Sequence, residues 1–440
     1  MLRTALLPAF VTMAFTFAAC GPSDPTPDPD PNGDAPGETL MSALDRDLSP
    51  QVDETDQAQL SHDNRGFAFD VLHELPSDSG ENVFFSPHSI SIALAMTYAG
   101  ASGATHEQMG ELLRFYLDEE VLHPAFNALD LDLATRSDVE VDEDGGDPPI
   151  LNVVNAIWGQ RDYPFANDFL DTLAVNYGAG LRVMDFLTSP EESRQKINEW
   201  VEDQTNDRIE ELLPENSIGP DTVLVLTNAI YFLAGWHAPF EESLTFEGSF
   251  TRPDGSEVTT ALMRETYAES NSYYLGDETV AISIPYVGRE LSLIALMPTD
   301  GDDLEAWEAG LDRDRFDQVV QNLQPGIGSL VFPKFEFNGE YDLKEIFEVM
   351  GWEDYAQLQR MLESGLNGLE ISGIFHKSFI ALDEEGTEAA AATAVVVVDT
   401  AAPEPNYDLA FDRPFYYAIY DHPTDTILFL GRVFDPTVEE

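Results

Sequence analysis

The groups here that can act as nucleophiles, bases or metal ligands are one cysteine, Cys20, eight histidines and 82 carboxylates, against 21 Lys and Arg. A single Cys leaves no partner for an intramolecular disulfide and no thiolate metal set. The histidines are scattered, and none pairs with another at metal-ligand spacing on one helix face. No G-x-S-x-G, H-E-x-x-H or G-x-x-x-x-G-K-[ST] is present, and Gly326-Ile327-Gly328 is an incomplete G-x-G-x-x-G after no suitable strand. Carboxylates are so abundant that pairing any two as acid and base would be arbitrary. Asp142-Glu143-Asp144-Gly145 resembles the start of a calcium loop, but Leu151 stands where the bidentate Glu belongs, so a solvated loop is expected. The chain is therefore not expected to be an enzyme, nor to need a cofactor or metal.

Cys20 closes a segment with one Arg, an apolar run and then small residues. Met1 to Cys20 is too short and wrongly flanked to span a membrane, so it is expected to be an export signal. Its end, Phe17-Ala18-Ala19-Cys20-Gly21, resembles the bacterial lipoprotein cleavage site, which implies a lipidated Cys20 as mature N-terminus. Residues 21–56 begin with a Pro- and Asp-rich stretch that has nothing to bury. They are expected to form a disordered tether, with the folded domain at 57–440. The location implied is extracellular or on the cell envelope, with the membrane touched only through the lipid. A net charge of −61 excludes nucleic acid and anionic lipid as surface ligands, since both are polyanions. It fits either a protein built for saline surroundings, where counter-ions screen the charge, or simply an acidic secreted protein.

The segment with the most unusual chemistry is Asp383 to Pro405, DEEGTEAAAATAVVVVDTAAPEP. Read at period two, Thr387, Ala389, Ala391, Thr393, Val395 and Val397 share one face. Glu388, Ala390, Ala392, Ala394, Val396 and Val398 share the other. A stretch that is small-sided first and β-branched later can slide between two existing strands. An Ala-rich helix leading into a core strand fits the same residues.

These residues need a frame. Gln57 to Leu75 places Leu60, Phe67, Val71, Leu72 and Leu75 at helical spacing. Ser86 is expected to cap a helix whose first turn takes Pro87, and Thr105-His106-Glu107-Gln108 reads as a capping box opening another. Glu191 to Leu212, after Ser189-Pro190, is amphipathic. Val223 to Phe232 is a near-continuous apolar run suited to a strand buried on both faces. Leu291 to Met297, Ser329 to Phe332 and Phe375 to Leu382 are further strands, and Phe415 to Tyr420 with Ile427 to Val433 form a hairpin. Helices come mostly early and strands late, without βαβ alternation, so the class is α+β. No repeat or linker interrupts the chain after residue 57. One large domain is expected, although a prior of roughly 150 residues per domain would give more.

Glu384-Glu385-Gly386-Thr387-Glu388-Ala389-Ala390-Ala391-Ala392-Thr393 resembles, nearly residue for residue, the mobile hinge of inhibitory serpins. Asn82 to Ile90, Gly100 to Thr105, Thr227 to Phe232 with Trp236 and Pro239-Phe240, Pro333-Lys334-Phe335, His376 to Phe379 and Leu409 to Ile419 resemble other motifs of that family, in its order. The resemblance implies the serpin fold: a single large domain with three β-sheets, surrounding helices and an exposed reactive-centre loop at about 384–408. It implies an irreversible suicide substrate of a serine protease, or of a cysteine protease, held as a covalent acyl complex. A monomer is expected.

Carried over residue by residue, Gly386 and Thr387 are the hinge where insertion starts, and Ala389 to Ala392 must be small. Ser86, Ser89, Asn228 and His376 resemble the polar cluster beneath the opening of the sheet. Trp236 resembles the residue under its top. Counting from the hinge puts the reactive bond at Thr400–Ala401; counting back from Phe411 puts it near Pro403, and Val398 is an alternate. No Lys or Arg lies between Asp383 and Pro405, so an elastase- or subtilisin-like target is expected over a trypsin-like one. The other reading is a non-inhibitory binding protein on the same fold. Leu233-Ala234-Gly235 replaces the commoner basic K-G-K of the family, which weakens any expectation of a polyanion cofactor such as heparin.

Overall fold

The computed structural model describes residues 37–75, 81–139, 147–299, 303–363, 369–387 and 404–438. Cys20, Glu388 to Thr393 and the Thr400–Ala401 bond lie outside these residues. Among the described residues, three sheets of seven, seven and four strands, with helices around them, make an α+β body.

The first sheet runs Glu38–Leu40, Leu181–Met184, Ile150–Gln160, Leu224–Gly235, Gly386–Thr387, Ile371–Leu382, Phe335–Asp342. Its central strand, Leu224–Gly235, is buried along nearly its whole length, which is why its sequence shows no alternation. Behind it lies the helix Pro87–Tyr98, buried at every position. In front, Ile197, Trp200 and Val201 of the helix Pro190–Gln204 form a second core with Val225, Ala229 and Phe375. The second sheet includes the expected hairpin, Phe415–Asp421 with Thr426–Val433. The third runs Tyr407–Ala410, Gly328–Pro333, Glu257–Ala268, Phe246–Thr251.

Ser86 caps its helix as expected: its hydroxyl accepts from the Ser89 N–H at 3.1 Å, with Pro87 in the first turn. The capping box is a correction. The helix Gly103–Leu112 starts after Ser102, so Thr105 lies inside it, and the Thr105 hydroxyl donates instead to Asp354 Oδ1 at 2.9 Å. The tether boundary is another. Within residues 21–56, Glu38–Leu40 adds an antiparallel strand to the edge of the first sheet, and the first helix begins at Glu54. Arg46 holds this run down through Asp130 (2.5 Å) and Asn127 Oδ1 (2.8 Å), and Asn127 Nδ2 donates to Asp47 O. Polarity misled here, because long-range hydrogen bonds, with Leu40 and Val52 packed against the core, fix the segment.

Candidate functional site

The first sheet contains a seam. Strands Leu224–Gly235 and Ile371–Leu382 pair directly and in parallel from Leu224/Ile371 up to Ile230/Ser378. Above that they part, and Gly386–Thr387 lies between them, Gly386 opposite Gly235 and Thr387 opposite Ala234 on one side and Leu382 on the other. Both of these pairings are antiparallel, so a strand continuing downward would replace one parallel ladder with two antiparallel ones. Antiparallel pairing is slightly the more stable per residue.

At mid-seam sits the polar cluster. Asn228 and His376 face each other in register. The Ser86 N–H donates to His376 Nε2 at 3.1 Å, so the ring proton is on Nδ1, which donates to Asn228 Oδ1. Asn228 Nδ2 donates to Ser89 Oγ at 2.6 Å and to Asn155 Oδ1. Ser89 Oγ donates to Asn155 Oδ1 and Asn155 Nδ2 to Ser89 O, both at 3.1 Å. With every donor of the Asn228 amide used, a polar group survives inside an apolar strand without the roughly 1–3 kcal/mol penalty of an orphan. Burial drives the His376 imidazole pKa down to about 3, so it stays neutral. The structure thus brings Ser86, Ser89, Asn228 and His376 together.

The hinge has its own supports. Asp383 turns the chain: its carboxylate accepts from the N–H of Glu385 (2.8 Å) and Gly386 (3.3 Å), and its own N–H donates to Gly386 O at 3.0 Å. Gly386 is required by contact, since a Cβ there would lie 2.2 Å from Ala234 O. Thr387 is 1% exposed, and its hydroxyl lies 2.7 Å from that of Tyr286. Trp236 stacks on Tyr286 at 4.6 Å, donates from its indole to Asp383 O at 3.0 Å, and its N–H donates to Glu385 O at 2.8 Å. Glu384 is clamped by Lys334 Nζ and Thr245 Oγ1, each at 2.6 Å. Burial pushes its carboxyl up, but those two bonds more than reverse this and leave it below the usual range.

A family model described as Serpin (serine protease inhibitor) matches residues 62–436. The chain belongs to the serpin family. Human Serpin B4 is 34% identical over 399 residues, covering 86% of this chain and 99% of that protein. The leukocyte elastase inhibitor of Equus caballus is 36% identical over 389 residues, covering 86% of this chain and 100% of its own. Among solved structures, the thermophilic serpin tengpin in its native state gives a TM-score of 0.77 at 27% identity, covering 91% of this chain and 99% of its own. Human thyroxine-binding globulin gives 0.74 at 28%, covering 87% and 100%. The fold is thus the serpin fold, with its three sheets, and the family includes members named as protease inhibitors.

Three residues of this serpin site escape a reading of the sequence alone: Asn155, Tyr286 and Thr245. Asn155 carried a signal, a lone amide in the run Val153-Val154-Asn155-Ala156-Ile157 that pairs with Asn228. Tyr286 and Thr245 carried none, because their roles are contacts with distant segments, whereas Lys334 and Asp383 stood in segments already singled out but without a role.

Proposed function

We propose that this serpin is an irreversible inhibitor of an elastase- or subtilisin-like serine protease. The observation that carries the reading is the wedge: hinge residues Gly386–Thr387 already occupy the top of a seam whose lower part is zipped shut. Loop insertion in serpins is itself a standard example of β-strand addition.

On this reading the protease attacks the loop and forms its acyl-enzyme. The freed loop then runs down the seam in the register of Thr387. Six residues on, Thr393 comes level with Asn228 on one side and His376 on the other. Its hydroxyl would replace the bond that insertion breaks between them. In the same register Ala389 would come level with Phe232 and Ile380, and Ala391 with Ile230 and Ser378. About 15 residues at roughly 3.3 Å each carry the protease on the order of 50 Å. That displacement pulls on a catalytic triad and oxyanion hole that work only in tight geometry, so deacylation stalls. Export and lipidation at Cys20 belong to the same proposal, as does a monomer acting at the cell surface.

Mixing the purified protein with elastase, subtilisin and trypsin tests this on denaturing gels and by intact mass. A boiling-stable adduct and a released C-terminal peptide beginning at Ala401 are expected. A different first residue would move the bond. Loop cleavage with no adduct and no loss of protease activity would overturn the inhibitor.

A further inference from the structure

Tyr267 sits in a conformation its side chain disfavours. Its φ is +59°, in the left-handed region, and it is the sole aromatic residue there among the described residues. The cause is a bulge near the end of the strand Glu257–Ala268: Gly328 pairs with Ala268 and Ser329 with Thr266, so Tyr267 has no partner in the ladder. The bulge is held from below. Buried Asn271 donates from Nδ2 to Glu265 Oε2 at 3.0 Å and to the Tyr407 hydroxyl at 3.4 Å. None of this requires an aromatic ring at the bulge point. Gly or Asn would take the same backbone with less strain, and the ring recovers little burial, being 48% exposed.

The position of the ring is informative. Gly328 also pairs, in parallel, with Tyr407, the first residue of the strand that follows the reactive loop. Tyr407, Gly328 and Ala268 therefore lie side by side on the rim from which the loop emerges. Asn406 fixes the base of the loop there, its N–H donating to Ile327 O and its Oδ1 accepting from the Ile327 N–H at 3.0 Å. Two strand spacings put Tyr267 about 10 Å from the loop base. A docked protein covering about 800 Å² reaches about 16 Å from the centre of its footprint. Glu269, two residues beyond the ring, and Glu404, three residues before Tyr407, are both exposed at this same end of the sheet.

We infer that Tyr267 is a specificity-determining contact, outside the loop, for a protease whose cleft is bordered by Arg or Lys. The strained bulge leaves the ring half-exposed on a rim that also carries Glu269 and Glu404, so a cationic side chain on the protease meets a π-face and negative charge on one surface. The inference rests on protease docking at the loop, as proposed above.

Tyr267→Gly keeps the bulge and removes both ring and strain, and Tyr267→Phe keeps the ring. Second-order rate constants with elastase and subtilisin are measured alongside the stoichiometry of inhibition and the thermal midpoint. The expected result is a roughly tenfold lower rate for Tyr267→Gly with at least one protease, about 1.4 kcal/mol. Stoichiometry stays unchanged, the midpoint rises, and Tyr267→Phe keeps the wild-type rate. Equal rates for wild type and Tyr267→Gly overturn the contact while leaving inhibition intact. A changed stoichiometry at constant rate also overturns it, by assigning Tyr267 to insertion. If the loop is only cleaved, the inhibitor reading fails, and kcat/KM for loop cleavage then reads docking with the same tenfold criterion.

Discussion

Replacing Thr387 with Arg tests the insertion mechanism most directly. Thr387 is 1% exposed, lies between two strands, and meets Tyr286 hydroxyl to hydroxyl at 2.7 Å. An Arg here must be expelled from the seam before cleavage and buried again for insertion to proceed. An unpaired buried charge costs several kcal/mol even after relaxation. If about 3 kcal/mol of that falls on the insertion step, insertion slows by roughly 150-fold. Acylation should be untouched, because the proposed reactive bond, Thr400–Ala401, is about 13 residues further along the chain, so deacylation overtakes insertion and the serpin becomes a substrate. Titrating elastase should show about one inhibitor consumed per protease for wild type and more than about ten for Thr387→Arg, with cleaved chain replacing adduct. Thr387→Val removes the hydroxyl but not the shape, so its stoichiometry should stay within about twofold of wild type, at a stability cost of about 1 kcal/mol. An Arg variant that still trapped protease one to one would refute insertion through this gap as the trapping step.

Other outcomes follow from the same residues. Asn228→Ala strands the His376 Nδ1–H and part of the Asn155 and Ser89 network, so it should lower unfolding stability by about 1–3 kcal/mol and speed spontaneous loop insertion or polymer formation, read by urea midpoints and native gels. Burial holds the His376 pKa at about 3 and the His88 pKa at about 4, both depressed from 6.5. The stability each contributes is complete above pH 6.5 and is lost as pH falls toward those values, about 2 kcal/mol apiece by pH 5. Urea midpoints at pH 7.5 and 5 should accordingly differ less in His88→Leu than in wild type, and equal differences would refute the assignment. Asn127 is fully buried and ties Arg46 and Asp47 to the body, so Asn127→Ala should expose residues 37–50 to limited proteolysis, with a loss of about 1–3 kcal/mol.

Much of the site was legible in residue types. Gly386, Thr387 and the alanines after them fitted either an inserting strand or an Ala-rich helix, and the resemblance to the serpin hinge chose between the two. Ser86-Pro87 announced a helix start, since capping is a contact between neighbours along the chain. An amide in the apolar run around Asn228 required partners, although the run itself could not name them. Where reasoning along the chain failed, the controlling contact came from elsewhere. Thr105 looked like a cap until Asp354 and Gln357 captured its hydroxyl. Residues 38–53 looked like tether because their anchors, Asn127, Asp130 and Val183, lie in other elements.

The sequence by itself determined the class of fold, through periodicity and short-range capping, and the family, through short motifs that resemble those of serpins, because both are written along one chain. Only the tertiary structure decided that the hinge already rests between its two strands, that Asn155 completes the cluster around Asn228, and that Lys334 and Tyr286 join Trp236 at the mouth of the seam. The physical reason is the same throughout. A buried hydrogen bond or ring contact joins groups far apart in sequence, and residue type specifies that a partner is needed without specifying which one arrives.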